Sequence, residues 1–206
     1  MALTRIELAY ESVSIPTDIF DFLQAVDGLV EQHRVNTAIC FQGFVPSDYV
    51  LTYQCLRALY DSHLLCGTRF CEWGSGISVV ASLAAMIGYE ACGIEYDEQL
   101  CGVAEGIRRD FDVPVELVQG SFIPTGVEDL LDEAFATHDG ELALHTEPDR
   151  AYGELGHGVD DFDLIFAYPW PNDVEVTQDI FDRCAAQGAL LLAYYDTDTI
   201  ALFRKA

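Results

Sequence analysis

An apolar run over residues 68 to 73 enters Gly74-Ser75-Gly76, and an apolar run with helical period leaves the glycines over residues 77 to 87. A chain written this way turns from strand to helix where small residues let the backbone approach a ligand. Nineteen residues after Gly76, a second apolar strand ends in Glu95, within Gly93-Ile94-Glu95-Tyr96-Asp97. A carboxylate at the tip of that strand is placed to hold a ribose diol. Together the two features read as a nucleotide-cofactor site, one that serves both hydride transfer and methyl transfer.

The rest of the chain repeats the same rhythm. Strands are expected at 68–73, 91–96, 114–119, 162–168 and 189–195, with helices between them at 77–87, 97–111, 126–137 and 173–187. This alternation predicts an α/β fold, doubly wound and Rossmann-like, with a mostly parallel sheet covered by helices on both faces. After the strand at 189–195, Asp196-Thr197-Asp198 is too short for a crossover helix, so the apolar run 199–203 must return antiparallel. Ahead of the glycines, Ile19, Phe22, Leu23 and Val26 recur at helical spacing, and a second helix is expected to start near Ser47 and end near Ser62. Residues 1–66 are therefore expected to be a helical extension packed on a cofactor-binding domain at 67–206. Residues 138–161 carry seven acids against one arginine, with four glycines and no hydrophobic period. They predict an exposed acidic insertion without an element of its own.

At 206 residues, half of them apolar, the chain can bury one sizeable core. Its net charge is −25, and Lys205 is its one lysine. Such a field repels phosphate backbones, which disfavours a nucleic-acid acceptor and favours a basic protein or a cationic small molecule. An acid-rich surface also suits a saline habitat, and charge alone does not separate the two. No basic start followed by an apolar stretch opens the chain and no apolar run approaches ~20 residues, so a cytoplasmic protein with no membrane segment is expected. Seven cysteines form no Cys-x-x-Cys pair and are expected as reduced thiols. His138, His145 and His157, with Glu141, Glu147 and Asp161 near them, follow no ligand spacing, so no metal site is expected.

The dinucleotide fingerprint requires a third glycine where this chain has Val79, which weakens a nicotinamide reading. From about Phe44 onward the sequence resembles the class I S-adenosylmethionine-dependent methyltransferases. Glu72-Trp73-Gly74-Ser75-Gly76 is similar to their acidic first motif, Glu95 to the acid that binds both ribose hydroxyls, and Gln119-Gly120-Ser121-Phe122 to the segment flanking adenine, with Ser121 in place of the usual acid. The resemblance implies a cofactor site made of Glu72, Gly74, Ser75, Gly76, Glu95, Tyr96, Ser121 and Phe122. Glu72 is open to two roles, helping to hold the cofactor's ammonium through the loop or capping the following turn. Phe44-Val45-Pro46-Ser47 is similar to a Tyr-Val-Pro-Thr segment in small protein-lysine methyltransferases that lack a SET domain; Pro-Ser is also an ordinary helix start.

Ala167-Tyr168-Pro169-Trp170 stands at the end of the fourth expected strand, where the family places its substrate-facing motif. Tyr168 and Trp170 could offer aromatic faces to a sulfonium or to a cationic acceptor, and they are the candidate catalytic residues. The polar first position that orients a planar amine in DNA methyltransferases is alanine here, which again disfavours a flipped base. Asn172 and Glu175 fit a capping box for the next helix. The resulting expectation is an S-adenosylmethionine-dependent methyltransferase acting on a lysine or other amine. A cofactor-binding protein without chemistry, or a small-molecule methyltransferase, is the alternative, and a nicotinamide oxidoreductase trails them all.

Overall fold

The computed structural model describes residues 3–10, 14–35, 44–137, 142–146, 150–195 and 199–206. From the glycine turn onward the elements alternate: β2 (Arg69–Trp73), α3 (Val79–Ile87), β3 (Glu90–Glu95), α4 (Glu98–Asp110), β4 (Glu116–Gln119), α5 (Glu128–Thr137), α6 (Ala151–Leu155), β5 (Leu164–Ala167), α7 (Val174–Cys184), β6 (Leu190–Tyr195) and β7 (Thr199–Arg204). Ahead of them lie β1 (Thr4–Ile6), α1 (Thr17–Val35) and α2 (Tyr49–Asp61). The strands form one sheet in the order β1-β7-β6-β5-β2-β3-β4. Strands β4, β3, β2, β5 and β6 run parallel, and β7 runs antiparallel to β6, as the apolar pattern requires. The turn at 196–198 lies outside the described residues.

The chain leaves β2 toward β3 and β4, then returns to place β5 on the other side of β2. Between β2 and β5 the connections therefore diverge, which opens a crevice beyond the carboxyl ends of the strands. The register puts Trp73 beside both Ile94 and Ala167 at that end. Alternation along the strands divides the core in two. Phe70, Leu164, Phe166 and Leu192 face α1, α2 and α3, while Cys71, Trp73, Ile94 and Ile165 face α5, α6 and α7. In α1, Ile19, Phe22, Leu23 and Val26 are buried, each contributing about 1.5–3 kcal/mol by leaving water. Phe22 meets Phe111 edge-on at 5.2 Å.

Helix α2 lies where expected, capped by Asp48, whose Oδ1 accepts Leu51 N at 2.9 Å. Two local expectations are corrected. The first 66 residues are not helical throughout: β1 pairs antiparallel with β7 at the sheet edge, Arg5 opposite Phe203, and a three-residue strand carries too little pattern to be seen beforehand. The acidic stretch 138–161 is not free of elements. Helix α6 buries Ala151 and Leu155, the following 3₁₀ turn buries Val159, and the Tyr152 hydroxyl donates to Phe122 O at 2.7 Å.

Candidate functional site

The turn after β2 needs residues that tolerate left-handed backbone, and Gly74 (φ +65°) and Gly76 (φ +56°) supply them. A Cβ on Gly76 would lie 2.6 Å from the Phe44 ring, which packs directly on the turn. The turn is stitched to β3 at two points. Ser75 N donates to Ile94 O at 2.9 Å, and Gly76 N donates to Glu95 Oε2 at 2.7 Å. The other oxygen, Glu95 Oε1, accepts Asp97 N at 2.8 Å. A carboxylate accepts about four hydrogen bonds, so Glu95 held this way can still receive two hydroxyls. Asp97 in turn caps α4 by accepting Gln99 N and Leu100 N.

Glu72 has a different local role. It is buried, and its Oε2 accepts Ala81 N at 2.7 Å across nine residues. Ser78, the N-cap of α3, is left-handed and makes no side-chain cap bond, so a carboxyl from the preceding strand satisfies the orphan donor instead. Glu72 thus caps the start of α3, and it also lines the cavity described below. Burial pushes its carboxyl well above the usual carboxylate range; the Ala81 N–H opposes this and the Glu95 charge adds to it. The phenol of Tyr49, a half-buried residue at the start of α2, is likewise pushed up, by desolvation and then by Glu72 and Asp27.

At the end of β4, Ser121 is buried, and its Oγ donates to His145 O at 3.0 Å while accepting Ile123 N at 3.1 Å. The hydroxyl proposed for an adenine amine thus holds a strap of chain, residues 142–146. Tyr96, 47% exposed, stacks on the His145 ring with centroids 3.5 Å apart, and Phe122 stacks on Trp73 at 5.1 Å. The far end of the strap is tied at the fourth parallel strand, where Ala143 N donates to Asp173 Oδ1 at 3.1 Å.

Beyond β5, Tyr168 meets Tyr194 edge-on at 4.7 Å, and the Tyr194 hydroxyl accepts Asp48 N at 3.1 Å. Trp170 stands at the rim, 45% exposed. The predicted capping box does not set the start of α7: Asp173, not Asn172, is at the N-cap, with no side-chain cap bond. Asp173 is instead buried at 2% exposure.

One cavity of about 890 Å³ joins these parts, and every predicted site residue lines it: Glu72, Gly74, Ser75, Gly76, Glu95, Tyr96, Ser121, Phe122, Tyr168 and Trp170. The size suits a nucleoside-sized ligand with room beside it. Tyr49, Asp173, Thr177, Tyr195 and the strap residues Ala143, Leu144 and His145 line it as well, and sequence reasoning did not select them as site residues. Asp173 carried a weak signal as an acid just past the aromatic-proline segment; the strap carried none. Among the described residues, no lysine or arginine lines the cavity, and no group of His, Cys, Asp or Glu gathers as a metal site. His138, Glu141 and Glu147 lie outside the described residues.

No family model matches the sequence, and no curated protein matches it. Solved structures do resemble the fold. An RNA methyltransferase from Salinibacter ruber in complex with S-adenosyl-L-homocysteine superposes with a TM-score of 0.52 at 16% identity, over 78% of this chain and 92% of that one. An O-methyltransferase from Bacillus cereus, in complex with the same molecule, gives 0.49 at 14% identity over 88% and 67%. The Salinibacter likeness and the sheet order together show that this chain has the class I methyltransferase fold, a Rossmann-like sheet closed by an antiparallel strand.

Proposed function

We propose that this protein is an S-adenosylmethionine-dependent methyltransferase whose acceptor is an amine, in the first instance a lysine of a basic protein. The observation that carries the cofactor reading is Glu95. Its carboxylate lies at the tip of β3, fixed by the N–H of Gly76 in the glycine turn, and borders the cavity. The site fits a sulfonium: acidic and aromatic groups face the cavity, and among the described residues no lysine or arginine opposes a bound cation. A dinucleotide fits less well. Its pyrophosphate needs the free donors of a helix N-terminus, and at α3 the Ala81 N–H is already taken by Glu72.

When bound, S-adenosylmethionine supplies an electrophilic methyl carbon on sulfur. The protein's own contribution is alignment and exclusion of water. Gly74 and Gly76 let the backbone approach the amino-acid end of the ligand, Glu95 orients the ribose, and Tyr96 and Phe122 flank the base. Tyr168 and Trp170 present aromatic faces on the acceptor side, where a cation over a ring gains about 0.5–2 kcal/mol. Charge supports a basic acceptor: with thirty-five acids against ten bases, a cationic partner is drawn in and a phosphate backbone is repelled. The RNA acceptor of the Salinibacter protein is therefore not carried over.

Isothermal titration tests the reading. S-adenosylmethionine and S-adenosylhomocysteine are expected to bind the parent, and Glu95→Ala to bind about thirtyfold more weakly, as losing about 2 kcal/mol of charged hydrogen bonding implies. Binding of neither compound, or equal affinity in the variant, sinks it. A protein that binds the cofactor yet labels no protein, nucleic acid or small molecule in a lysate would be a non-catalytic binder.

A further inference from the structure

Two residues at the start of α2 border the cavity with hydroxyls that the fold does not use. Ser47 is half-buried and lines the cavity, yet its Oγ is shut off from water with no hydrogen-bond partner among the described residues. A buried hydroxyl left this way is costly until a partner meets it. Tyr49 lines the same cavity, and no hydrogen bond engages its phenol among the described residues. That phenol keeps its proton, because desolvation and the charges of Glu72 and Asp27 push its pKa up. Asp48, between the two, is exposed, caps α2 and does not line the cavity. The segment is anchored on both sides: the Phe44 ring packs on the turn at Gly76, and Asp48 N donates to the Tyr194 hydroxyl at 3.1 Å.

The amino-acid end of S-adenosylmethionine carries a carboxylate beside its ammonium. Glu95 repels that carboxylate, and among the described residues no lysine or arginine lines the cavity to receive it. Around the glycine turn, the N–H groups of Ser75, Gly76, Ser78 and Ala81 are already donated within the protein. We infer that Ser47 and Tyr49 form the carboxylate subsite of the cavity, their hydroxyls donating to the carboxylate of the ligand's amino-acid end. The inference rests on the methyl-transfer reading above. A serine hydroxyl moves between staggered positions about a single torsion, so Ser47 meets a ligand without a backbone shift, while Tyr49 is held by the core it packs against. Hydroxyl bonds to a carboxylate are short and about twice as strong as those between neutral groups. Neutral donors also leave the sulfonium unopposed, where a guanidinium or ammonium in their place would repel it. The segment from Phe44 to Ser47 then covers the glycine turn at one end and binds the ligand at the other.

Isothermal titration of the intact protein with three probes tests this: S-adenosylhomocysteine, its decarboxylated counterpart, and methylthioadenosine, which lacks the amino-acid end altogether. The parent is expected to bind S-adenosylhomocysteine at least about thirtyfold more tightly than the decarboxylated compound. Tyr49→Phe and Ser47→Ala should each weaken S-adenosylhomocysteine about tenfold and leave the other two probes within about threefold. Ligand-free Ser47→Ala should melt no lower than the parent, since an orphaned hydroxyl adds nothing to the empty protein. Equal affinity of the parent for S-adenosylhomocysteine and its decarboxylated counterpart overturns the inference. So does a parallel loss of all three probes in both variants, the pattern of hydroxyls that merely hold the fold. If the parent binds none of the three, the methyl-transfer reading falls and this inference with it.

Discussion

Glu72 shows how one side chain can both line a cavity and hold the start of the helix beside it. Its carboxyl caps α3 from the preceding strand, and burial raises its pKa well above that of an exposed glutamate. A carboxyl raised in the folded state keeps a proton that the unfolded chain has released above about pH 4.3. It therefore costs stability progressively as pH climbs from that value toward the folded-state pKa. Glutamine keeps the oxygen for Ala81 N and never ionises. Glu72→Gln should melt at least about 2 °C above the parent at pH 8, with the gap closing toward pH 5; a gap constant across that range would refute the buried-acid account. Glu95, by contrast, was legible in sequence because its position at a strand tip follows from spacing alone. Asp173 was not legible, because Asn172-Asp173-Val174-Glu175 reads as a capping box and only the fold shows that the aspartate turns away from its helix.

At the level of elements, the sheet and its covering helices could be read because short continuous apolar runs, buried on both faces of a parallel sheet, alternate with longer segments of period 3.6. Helix α6 spans five residues, too few for a period, and its two buried positions acquire meaning only against β4 and the core layer they share with α5 and α7. The strap at 142–146 has no period at all and is placed by three contacts: with Tyr96, Ser121 and Asp173. Lys205 is a third case. Its ammonium, 9% exposed, donates to Ala185 O at 2.6 Å and Arg183 O at 3.2 Å. The chain's one lysine thus satisfies carbonyls at the end of α7 that would otherwise be orphaned. Lys205→Met should cost about 2 kcal/mol, lowering Tm by about 4–8 °C with little change in the helical circular-dichroism signal. A loss under about 1 °C would deny the lysine this role.

Across the whole molecule, the charge of −25 acts at a range set by salt. Raising ionic strength from 0.1 to 1 M shortens the screening length from about 10 to about 3 Å, so self-repulsion fades and Tm should rise by several degrees. If the field also steers a basic acceptor, kcat/KM for a lysine-rich peptide should fall roughly tenfold or more over the same change, whereas a surface suited only to brine would leave it level or raise it. The seating of Lys205 has a further consequence. Every other basic side chain except the histidines is an arginine, which keeps its proton throughout the working range, and burial moves the thiols of Cys55 and Cys101 up to about 12 and about 11. From neutrality to mildly alkaline pH the arginines and these two thiols then keep their protons. A rate that climbs across that interval cannot come from them, and comparing the parent with Glu72→Gln, which removes the raised carboxyl of the cavity wall, separates the protein's own titration from that of the molecule being methylated.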